Sequence, residues 1–538
     1  MAGAALLGFG AATLIGRSKP APALSFKRLT FQRGNLLSAR FAPGGDTVVY
    51  AAAWEGKPAE IYSTQPKSPE FRALGIPNAE LLAISPTGEL AISLRQRNLM
   101  SPVGEGTLAT VPMAGGSPRP VLDDVESADW SPDGKQLAVI RTATSHGRLE
   151  YPVGTLRYES KQMLRRVRIA PDGKRIAFLE GSPGGWTVNV LEPDGAKRAL
   201  TQPYTLINRV VWHPSGREIW FDGEEMLRTV TLSGKDRIRF SAPVRIVLHD
   251  VSAAGHVLIE RGEGRQGVIF GGPEGERELG GFDSADLVGL LPNGAGIVFN
   301  DRGAGGGRAF YLRRSDGSPA IRLGEGYAHD VSPDGLWVLA MPSTQSDRLA
   351  LFPTGTGTSR VLPHASLEDV GPGTFLPDGK RIILIARRKG EAYRSHIQDL
   401  AGGESRPLLS PGFYAPSRSV SPDGKWVAVV RGASEPMFLA PLDGGPPRPV
   451  PGSVGEVSVG WTADGSRLFA FGYGNVPARL HRVDPFTGRR ELWKVLSPPD
   501  LATIYDIDDA AVSADGRFYA YDYNRVLTSD LFLVEGLQ

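Results

Sequence analysis

Two histidine–aspartate tetrapeptides are the features of this sequence that come nearest to a site for ligand or metal chemistry. The residues His-Asp-Val-Ser begin at His249 and again at His329, and Asp129 takes the place of Asp250 and Asp330 in a third copy of the surrounding pattern. Imidazole and carboxylate groups bind metal ions and small polar molecules, so one interpretation is a polar patch that holds a ligand or a cation. The sequence favours the other interpretation, in which these side chains form hydrogen bonds to neighbouring turns, because buried polar groups need partners.

Further metal or thiol chemistry has little support in the sequence. The eight histidines form no H-E-x-x-H motif, and the absence of cysteine excludes disulfides, thiolate ligands and cysteine nucleophiles. Asp506, Asp508 and Asp509 lack the D-x-D-x-D-G loop and the distal glutamate of a calcium site, so we interpret them as a solvated loop. The sequence therefore predicts no metal ligand, no cofactor and no catalytic residue.

A glycine-rich segment from Gly262 to Gly267 matches the pattern G-x-G-x-x-G, which cradles phosphates in kinases and dinucleotide-binding proteins. A kinase would need a strand lysine shortly afterwards, together with H-R-D and D-F-G sequences. The next lysine is Lys380, and neither triplet occurs. The serine-hydrolase motif G-x-S-x-G is absent as well. We therefore interpret the segment as a glycine-rich hairpin.

The charge balance argues against nucleic acid as the main partner. The 60 basic and 58 acidic residues leave a net charge of +2, without the positive excess that nucleic-acid binding needs. The basic segments Lys161–Arg168 and Arg387–Lys389 are short, and we interpret both as solvated faces.

A repeated turn sequence indicates the strands and hairpins that would position the side chains of any site. An apolar residue, then Ser-Pro-Asp-Gly or a variant, then an apolar run recurs twelve times, as in WSPDGKQLAVI from Trp130. Proline ends one strand and Asp-Gly supplies the positive φ of a tight turn, so each copy predicts a hairpin. Trp130, Trp212 and Trp461 precede these turns at matching positions, which indicates core packing between repeats. The turn glycines, 39 to 51 residues apart, are Gly45, Gly88, Gly134, Gly173, Gly216, Gly255, Gly294, Gly335, Gly379, Gly424, Gly465 and Gly516.

Repeats of this length predict an all-β chain of tandem β-propellers, because one blade takes roughly 40–45 residues. A single ring usually has roughly four to eight four-stranded blades, so about twelve blades predict two six-bladed rings, with seven plus five as the alternative. We expect a first propeller at 26–282 with blades 1–6 and a second at 283–538 with blades 7–12. The last blade lacks a fourth strand, and a strand at 26–31 could complete it.

The repeats resemble the TolB-like, WD40-like (PD40) propellers of bacteria over about residues 26–537. More narrowly, FKRLTFQRGNLLSARFAPGG near the start and SDLFLVEGL near the end resemble the C-terminal, extracytoplasmic propeller half of bacterial receptor-like serine/threonine kinases. That resemblance implies a cytoplasmic kinase half joined to the propeller by one membrane helix. This chain lacks the kinase sequences, so the resemblance implies binding or sensing without kinase activity.

The apolar residues 1–16 stand where that membrane helix would end, and 17–25 resemble a linker. The apolar stretch is shorter than the roughly 20 residues of a spanning helix, so we predict the outer end of a helix that begins upstream of Met1. A buried N-terminal segment is the alternative. The expected location is extracytoplasmic, in the periplasm or cell envelope, with residues 1–16 as a membrane anchor.

The expected function is that of a non-catalytic sensor or scaffold. It would bind a protein or a small-molecule ligand at the mouths of the propeller channels, with a kinase half or an envelope protein as a further partner. The alternative from another class is a propeller enzyme, a lyase or hydrolase that acts on sugars or peptides at a site assembled from several blades.

Overall fold

The computed structural model describes residues 24–94, 106–143, 146–182, 185–224, 226–242, 244–281, 284–301, 308–345, 347–364, 366–368, 370–431, 435–472 and 476–537. The apolar segment 1–16 and most of the linker 17–25 lie outside these ranges, so the membrane anchor stays a prediction. Within the ranges, no helix has the length and apolar character that crossing a membrane requires.

The described residues form 44 strands and two short 3-10 helices. The first 22 strands are β1 (Ser25–Arg28), β2 (Gly34–Phe41), β3 (Val48–Trp54), β4 (Glu60–Gln65), β5 (Ser68–Pro77), β6 (Ala79–Ile84), β7 (Glu89–Leu94), β8 (Gly106–Pro112), β9 (Arg119–Trp130), β10 (Leu137–Ala143), β11 (His146–Glu150), β12 (Leu156–Ser160), β13 (Leu164–Ile169), β14 (Ile176–Ser182), β15 (Gly185–Leu191), β16 (Lys197–Ala199), β17 (Ile207–Trp212), β18 (Glu218–Gly223), β19 (Met226–Thr231), β20 (Asp236–Phe240), β21 (Arg245–Val251) and β22 (Val257–Gly272).

The remaining elements are β23 (Gly275–Glu278), β24 (Ala285–Leu290), the helix η1 (Pro292–Gly294), β25 (Gly296–Asp301), β26 (Ala309–Arg314), β27 (Ile321–Val331), β28 (Trp337–Pro342), β29 (Ala350–Pro353), β30 (Arg360–Val361), β31 (Gly373–Phe375), β32 (Arg381–Ala386), β33 (Arg394–Asp399), β34 (Arg406–Pro407), β35 (Trp426–Val429), β36 (Pro436–Pro441), β37 (Arg448–Val454), β38 (Glu456–Trp461), β39 (Leu468–Gly472), β40 (Ala478–Val483), β41 (Arg490–Leu496), the helix η2 (Leu501–Thr503), β42 (Ile504–Asp506), β43 (Ala510–Val512) and β44 (Tyr519–Glu535).

Most blades are antiparallel sheets whose strands follow one another in chain order from the inside outward. Blade 1 is β2–β5, blades 2 and 3 share the long strand β9 within β6–β12, blade 4 is β13–β16 and blade 5 is β17–β20. Blades 7 and 8 share β27 within β24–β30, blade 9 is β31–β34, blade 10 is β35–β37 and blade 11 is β38–β41. In blade 10, single bridges from Tyr414 and Val420 take the place of the inner strand.

Two long strands, β22 and β44, each take part in both remaining blades. They pair antiparallel from Val257 opposite Val534 to Gly271 opposite Tyr519. The Val257 end of this pair lies between β21 and β1 and forms blade 6. The Gly271 end lies between β43 and β23 and forms blade 12. The pair therefore runs continuously from one blade into the other.

The apolar core closes the blades into two rings of six. The buried residues that the structure describes form twelve hydrophobic clusters, each filled from two neighbouring blades. One cluster joins blade 1 to blade 6 through Leu36 and Leu258. Another joins blade 7 to blade 12 through Leu287 and Ala520. The predicted fold class, all-β with two six-bladed rings, is confirmed.

The strand pairing differs from the expected division between 26–282 and 283–538. Residues 267–278 contribute strands to blade 12, in the second ring, and residues 529–535 contribute to blade 6, in the first. The strand expected at 26–31 is seen at Ser25–Arg28, and it completes blade 6 instead of the last blade. The reason is that β22 and β44 each continue from one ring into the other, although the glycines at the crossing in β22 predict a turn.

The glycine-rich segment from Gly262 to Gly267 lies inside β22, so its interpretation as a hairpin is wrong. Its glycines permit close approach of β44. A Cβ added at Gly267 would stand 2.6 Å from the ring of Tyr523, and one at Gly262 would stand 3.3 Å from the carbonyl oxygen of Thr528. The motif therefore serves strand packing, because a side chain at Gly267 would occupy the space of the tyrosine ring.

The repeated turn has the geometry that its sequence predicts. All twelve turn glycines have φ between 64° and 83°, a region that favours glycine. In blade 3 the N–H of Gly134 donates to the carbonyl of Ser131, and the N–H of Ser131 donates to the carbonyl of Gln136, both at 2.8 Å. The hydroxyl of Ser131 donates to the carboxylate of Asp133 at 2.5 Å. Serine, aspartate and glycine thus fix one hairpin together.

The proline of the turn has a second role that the sequence did not reveal. A Cβ added at Gly134 would lie 3.3 Å from Cδ of Pro86, which belongs to the turn of the preceding blade. At Gly335 the corresponding distance to Cδ of Pro292 would be only 2.4 Å. In these two pairs of neighbouring blades, the proline of one turn therefore packs against the glycine of the next.

Candidate binding site in the first propeller channel

A β-bulge in the inner strands decides which side chains reach the channel of the first ring. The pairing register between the inner strand and its neighbour shifts in all six blades of that ring. A bulge leaves a residue unpaired and re-aims its side chain. Arg166, Arg209 and His249 lie at these shifts, and Arg166 has a φ of 60°. The rule that successive side chains of a strand face opposite sides therefore does not hold for the residues that line the channel.

Four arginines line a pocket in this channel. The pocket has a cavity volume of about 20 Å³, which is room for about one water molecule. It is therefore suited to one small polar group and too small for a drug-sized ligand. Its charged and hydroxylic lining residues, contributed by five successive blades, are Arg40, Glu80, Ser127, Arg166, Arg168 and Arg209.

Three of the four arginines have a carboxylate partner in the described part of the chain. Such pairs compensate the cost of burying charge. The pairs are Arg166 with Glu126 at 3.5 Å, Arg168 with Asp129 at 3.2 Å, and Arg209 with Glu80 at 3.8 Å. Burial, reinforced by the neighbouring charge of Arg166, lowers the pKa of Arg209 to about 10.

Arg40 is the exception among the four. Its side chain is buried, with 8% of the residue exposed, and its Nη1 donates to the carbonyl oxygens of Ala39 and His249, each at 2.8 Å. Its Nε has no hydrogen-bond partner among the described residues, and no carboxylate there forms an ion pair with it. Burial lowers the pKa of Arg40 well below its ordinary value, and the nearby charge of Arg168 adds to this effect.

The aspartates singled out by the sequence join neighbouring blades. The carboxylate of Asp129 accepts the N–H of Ile169 at 2.8 Å. Asp250 accepts the N–H of Phe41 at 2.9 Å, which ties blade 6 to blade 1. In the second ring, Asp330 accepts the N–H of Phe375 and the hydroxyl of Thr374, at 2.8 and 2.7 Å. These aspartates do bond the adjacent blade, but at the end of its inner strand and not at the turn that the sequence predicts.

The two histidines do not share a site, because His249 lies in the first ring and His329 in the second. His249 is fully buried, and its Nε2 lies 3.6 Å from a carboxylate oxygen of Glu260. Burial lowers the pKa of both histidines to about 4. The hydroxyl of Ser529 donates to Glu260 at 2.9 Å, so the carboxylate stands between serine and histidine. A nucleophilic triad would need the histidine in the middle.

The interpretation of Asp506, Asp508 and Asp509 as a solvated loop is wrong. Asp506 is buried and the other two are half-buried, because the segment leads into β43, the inner strand of blade 12. Asp509 pairs with Arg418 at 2.6 Å, and Asp508 accepts an N–H of Asn524 at 2.6 Å. Among the residues that the structure describes, no cluster of histidines and carboxylates could hold a metal ion.

The basic segment 161–168 also differs from its interpretation as a solvated face. Arg166 and Arg168 line the pocket, and the guanidinium of Arg165 lies 5.0 Å from the ring centre of Trp186. The bulge turns these residues inward, which no charge pattern could indicate. The basic segment 387–389 agrees better with its interpretation as a solvated face, since Lys389 is exposed.

The tryptophans that precede the repeat turns include core residues, as predicted. Trp212 and Trp461 are buried, and their indole N–H groups donate to the carbonyl oxygens of Arg168 and Ser419 in the preceding blade, at 3.1 and 2.9 Å. Trp130 is half-buried and packs against the cluster between blades 2 and 3. These residues therefore join blades and do not form a ligand platform.

No family model and no curated protein sequence matches the chain. Solved structures that resemble it include the tricorn protease, at 15% sequence identity and a TM-score of 0.32, over 95% of this chain and 60% of the other. The GH74 enzyme of Niastella koreensis shares 13% identity at a TM-score of 0.32, over 90% of each chain. The putative TolB of Agrobacterium tumefaciens shares 14% identity at a TM-score of 0.24, over 62% of this chain and 94% of the other.

This chain thus spans less than two thirds of the length of the tricorn protease chain. Because the TM-scores are low, the fold assignment rests on the strand pairing described above, and the similarities carry no statement about activity. By its own pairing the chain is a tandem β-propeller, and a TolB is among the proteins that it resembles.

Proposed function

We propose that the chain is a non-catalytic binding module that recognises its partner at the mouth of the first propeller channel. The observation that carries this proposal is the arginine-lined pocket, in which Arg40 is buried without a carboxylate partner among the described residues. Burying a charge that has no ion pair is costly, and a binding partner that supplies the ion pair would compensate this cost.

The polar groups that an enzyme would need are engaged in structural contacts. The carboxylates of Asp129 and Asp250 accept backbone N–H groups of adjacent blades, and that of Glu260 accepts the hydroxyl of Ser529. His249 has no exposed surface, so substrate could not reach it without opening the ring. These contacts support binding over turnover in the first ring.

The cellular setting is a proposal from the resemblance to propeller halves of receptor-like kinases. We place the module outside the cytoplasmic membrane, with residues 1–16 as an anchor. A kinase half or an envelope protein would then receive the binding signal. N-terminal sequencing of the native protein from separated membrane and soluble envelope fractions tests this placement: a membrane-bound product that extends upstream of Met1 supports it, and a soluble product that begins near Leu24 contradicts it.

Site-specific photocrosslinking in the native envelope tests binding at the channel mouth. A photoreactive residue at Leu37, which is half-buried beside the bulge of β2, should give one discrete adduct with a protein or a small molecule. The matched control is Ile238, which is 54% exposed on the outer strand β20 of the same ring and should give none. Equal labelling from both positions would contradict channel recognition.

Metal analysis and the variant His249→Ala separate the module from a propeller lyase or hydrolase. The binding module should be purified without stoichiometric metal, and the variant should keep the Leu37 adduct. A bound metal that the variant loses, together with loss of turnover of a sugar or peptide substrate, would favour the enzyme instead.

A further inference from the structure

The four channel arginines are not equivalent, and the difference points to a ligand class. Arg166, Arg168 and Arg209 each lie near a carboxylate, whereas Arg40 has none within ion-pair distance among the described residues. We propose that the first channel binds one oxyanion group, a carboxylate or a phosphate, with Arg40 as its main donor. This inference rests on the proposed binding function and specifies the ligand chemistry at the same site.

Arg40 presents an unused donor edge. Its two hydrogen bonds both come from Nη1, to Ala39 and His249, and no bond from Nε or Nη2 is made to a described residue. A guanidinium has five N–H groups in a planar fork, and one edge of that fork matches the two oxygens of a carboxylate or phosphate. Nη1 would thus bind the backbone, while Nη2, which donates to no described residue, would receive the anion; Nε is enclosed by the protein.

Neighbouring charges make the pocket favourable for an anion. Arg168 and Arg209 lie close enough to Arg40 that their positive charges lower its pKa. The carboxylates of Asp250 and Asp129 oppose this effect in part, and Oδ2 of Asp250 also accepts the N–H of Phe41. An oxyanion beside Arg40 would relieve the repulsion among the three guanidinium groups.

Other carboxylates near the pocket are also engaged, so none is free to turn toward Arg40. Asp222 accepts three backbone N–H groups, from Asn208, Arg209 and Leu248, at 2.9, 2.7 and 3.2 Å. Glu126 accepts the N–H of Arg166 at 3.0 Å in addition to its ion pair. Within the described chain, Asp250 and Asp129 compensate the charge of Arg40 only from a distance, so an anion in direct contact would add the ion pair that Arg40 lacks.

The size of the pocket limits the ligand to a terminal group. The cavity volume of about 20 Å³ is room for about one water molecule, so we expect the anion to place one oxygen there and to keep its other atoms outside. Two sources share this chemistry: free inorganic phosphate, and the C-terminal carboxylate of a peptide whose remainder lies outside the pocket.

Calorimetric titration of the full chain distinguishes the two sources. The probes are sodium phosphate, a short peptide with a free C-terminus, and the same peptide amidated. Phosphate binding with one site per chain identifies a free-anion site, and binding of the free but not the amidated peptide identifies a peptide-end site. If none of the three binds, or if the amidated peptide binds as well as the free one, the proposal is overturned.

Three variants assign the binding to the pocket. Arg40→Gln should weaken binding at least about tenfold, and Arg168→Gln, which leaves the Nη1 contacts of Arg40 in place, should weaken it several-fold. The control Arg237→Gln removes the same charge from an exposed position on β20 and should change affinity less than about twofold.

Thermal unfolding of each variant shows whether it is folded, and the Arg168→Gln result decides the proposal if Arg40→Gln is unstable. Equal loss of affinity in Arg168→Gln and Arg237→Gln would overturn the assignment. The Leu37 crosslink is measured independently, so a partner captured there by a chain that binds no anion would refute the ligand class and leave the binding function standing.

Discussion

Arg166 and Arg168 belong to a short basic segment that, from its sequence, resembles the solvated end of any strand. They line the pocket because the bulge in β13 shifts the pairing register between Arg165 and Arg168. In a regular strand, alternate residues point to opposite faces of the sheet. A bulge adds one residue that this rule does not include, so the sequence could not predict that these arginines line the channel. Asp129 and Asp250 could be aligned, because they keep the same distance from their turns.

The buried His249 should make stability depend on pH in a defined window. Its pKa is about 4 in the folded chain and about 6.5 when unfolded, so the unfolded state takes up the proton first as the pH falls. Stability from this residue is complete above pH 6.5 and is lost between pH 6.5 and 4. We expect His249 alone to contribute a loss of about 2 kcal/mol between pH 7.5 and pH 5, measured by urea unfolding, and the buried His329, whose pKa is also about 4, to add a similar loss.

The variant His249→Gln isolates this contribution from other titrating groups. Asp222 acts in the opposite direction, because burial raises its pKa to about 6 and its protonated form favours the folded state. The variant should therefore lose less stability than the wild type over the same pH interval, by about 2 kcal/mol. Parallel pH profiles for the two proteins would contradict the buried neutral imidazole.

Among the elements, the hairpin that joins the first two strands of each blade is the part that the sequence predicts best. Every turn glycine has the expected positive φ, because glycine adopts the left-handed conformation of a tight turn without steric cost. The contact between Pro292 and Gly335 could not be predicted, because it joins the turns of two different blades. Local chemistry fixes the hairpin, and only the assembled ring brings two hairpins together.

Gly335→Ala and Gly424→Ala separate these two roles of the turn glycine. Both positions have a positive φ, 72° and 66°, so each alanine should cost about 1 kcal/mol in backbone strain. At Gly335 the new Cβ would also lie 2.4 Å from Cδ of Pro292, whereas at Gly424 nothing lies within 4 Å. We expect Gly335→Ala to lose about 1–3 kcal/mol more in urea unfolding. Equal losses would show that the contact between blades carries no stability.

At the scale of the whole molecule, twelve evenly spaced turns predict twelve blades and two rings, and both are found. The spacing does not predict how each ring closes. The pairing of β22 with β44 joins segments far apart in sequence, and its register depends on glycines that accommodate Tyr519 and Tyr523. Local patterns hold no information about such a distant partner.

A single substitution on β22 should reveal whether the two rings unfold together. Gly267→Ala places a Cβ 2.6 Å from the ring of Tyr523 and should separate β22 from β44 where they pass between the rings. Hydrogen exchange should then increase in both β21 and β43, which lie in different rings. The control Gly264→Ala, whose Cβ would have its nearest neighbour at 3.4 Å, should leave exchange nearly unchanged. Faster exchange confined to one ring would show that the rings unfold independently.

The pairing of the first strand with the last also determines how the molecule would respond to tension. Ser25 lies opposite Glu535 and Arg28 lies opposite Phe532, so the free ends of β1 and β44 leave the sheet on the same side. A force applied at Ser25 and Glu535 would peel the strands apart one hydrogen bond at a time, and would not have to shear all of them at once. Blade 6 would therefore open while blades 7 to 11 carried no load. The first ring would open before the second and would protect it from the applied force.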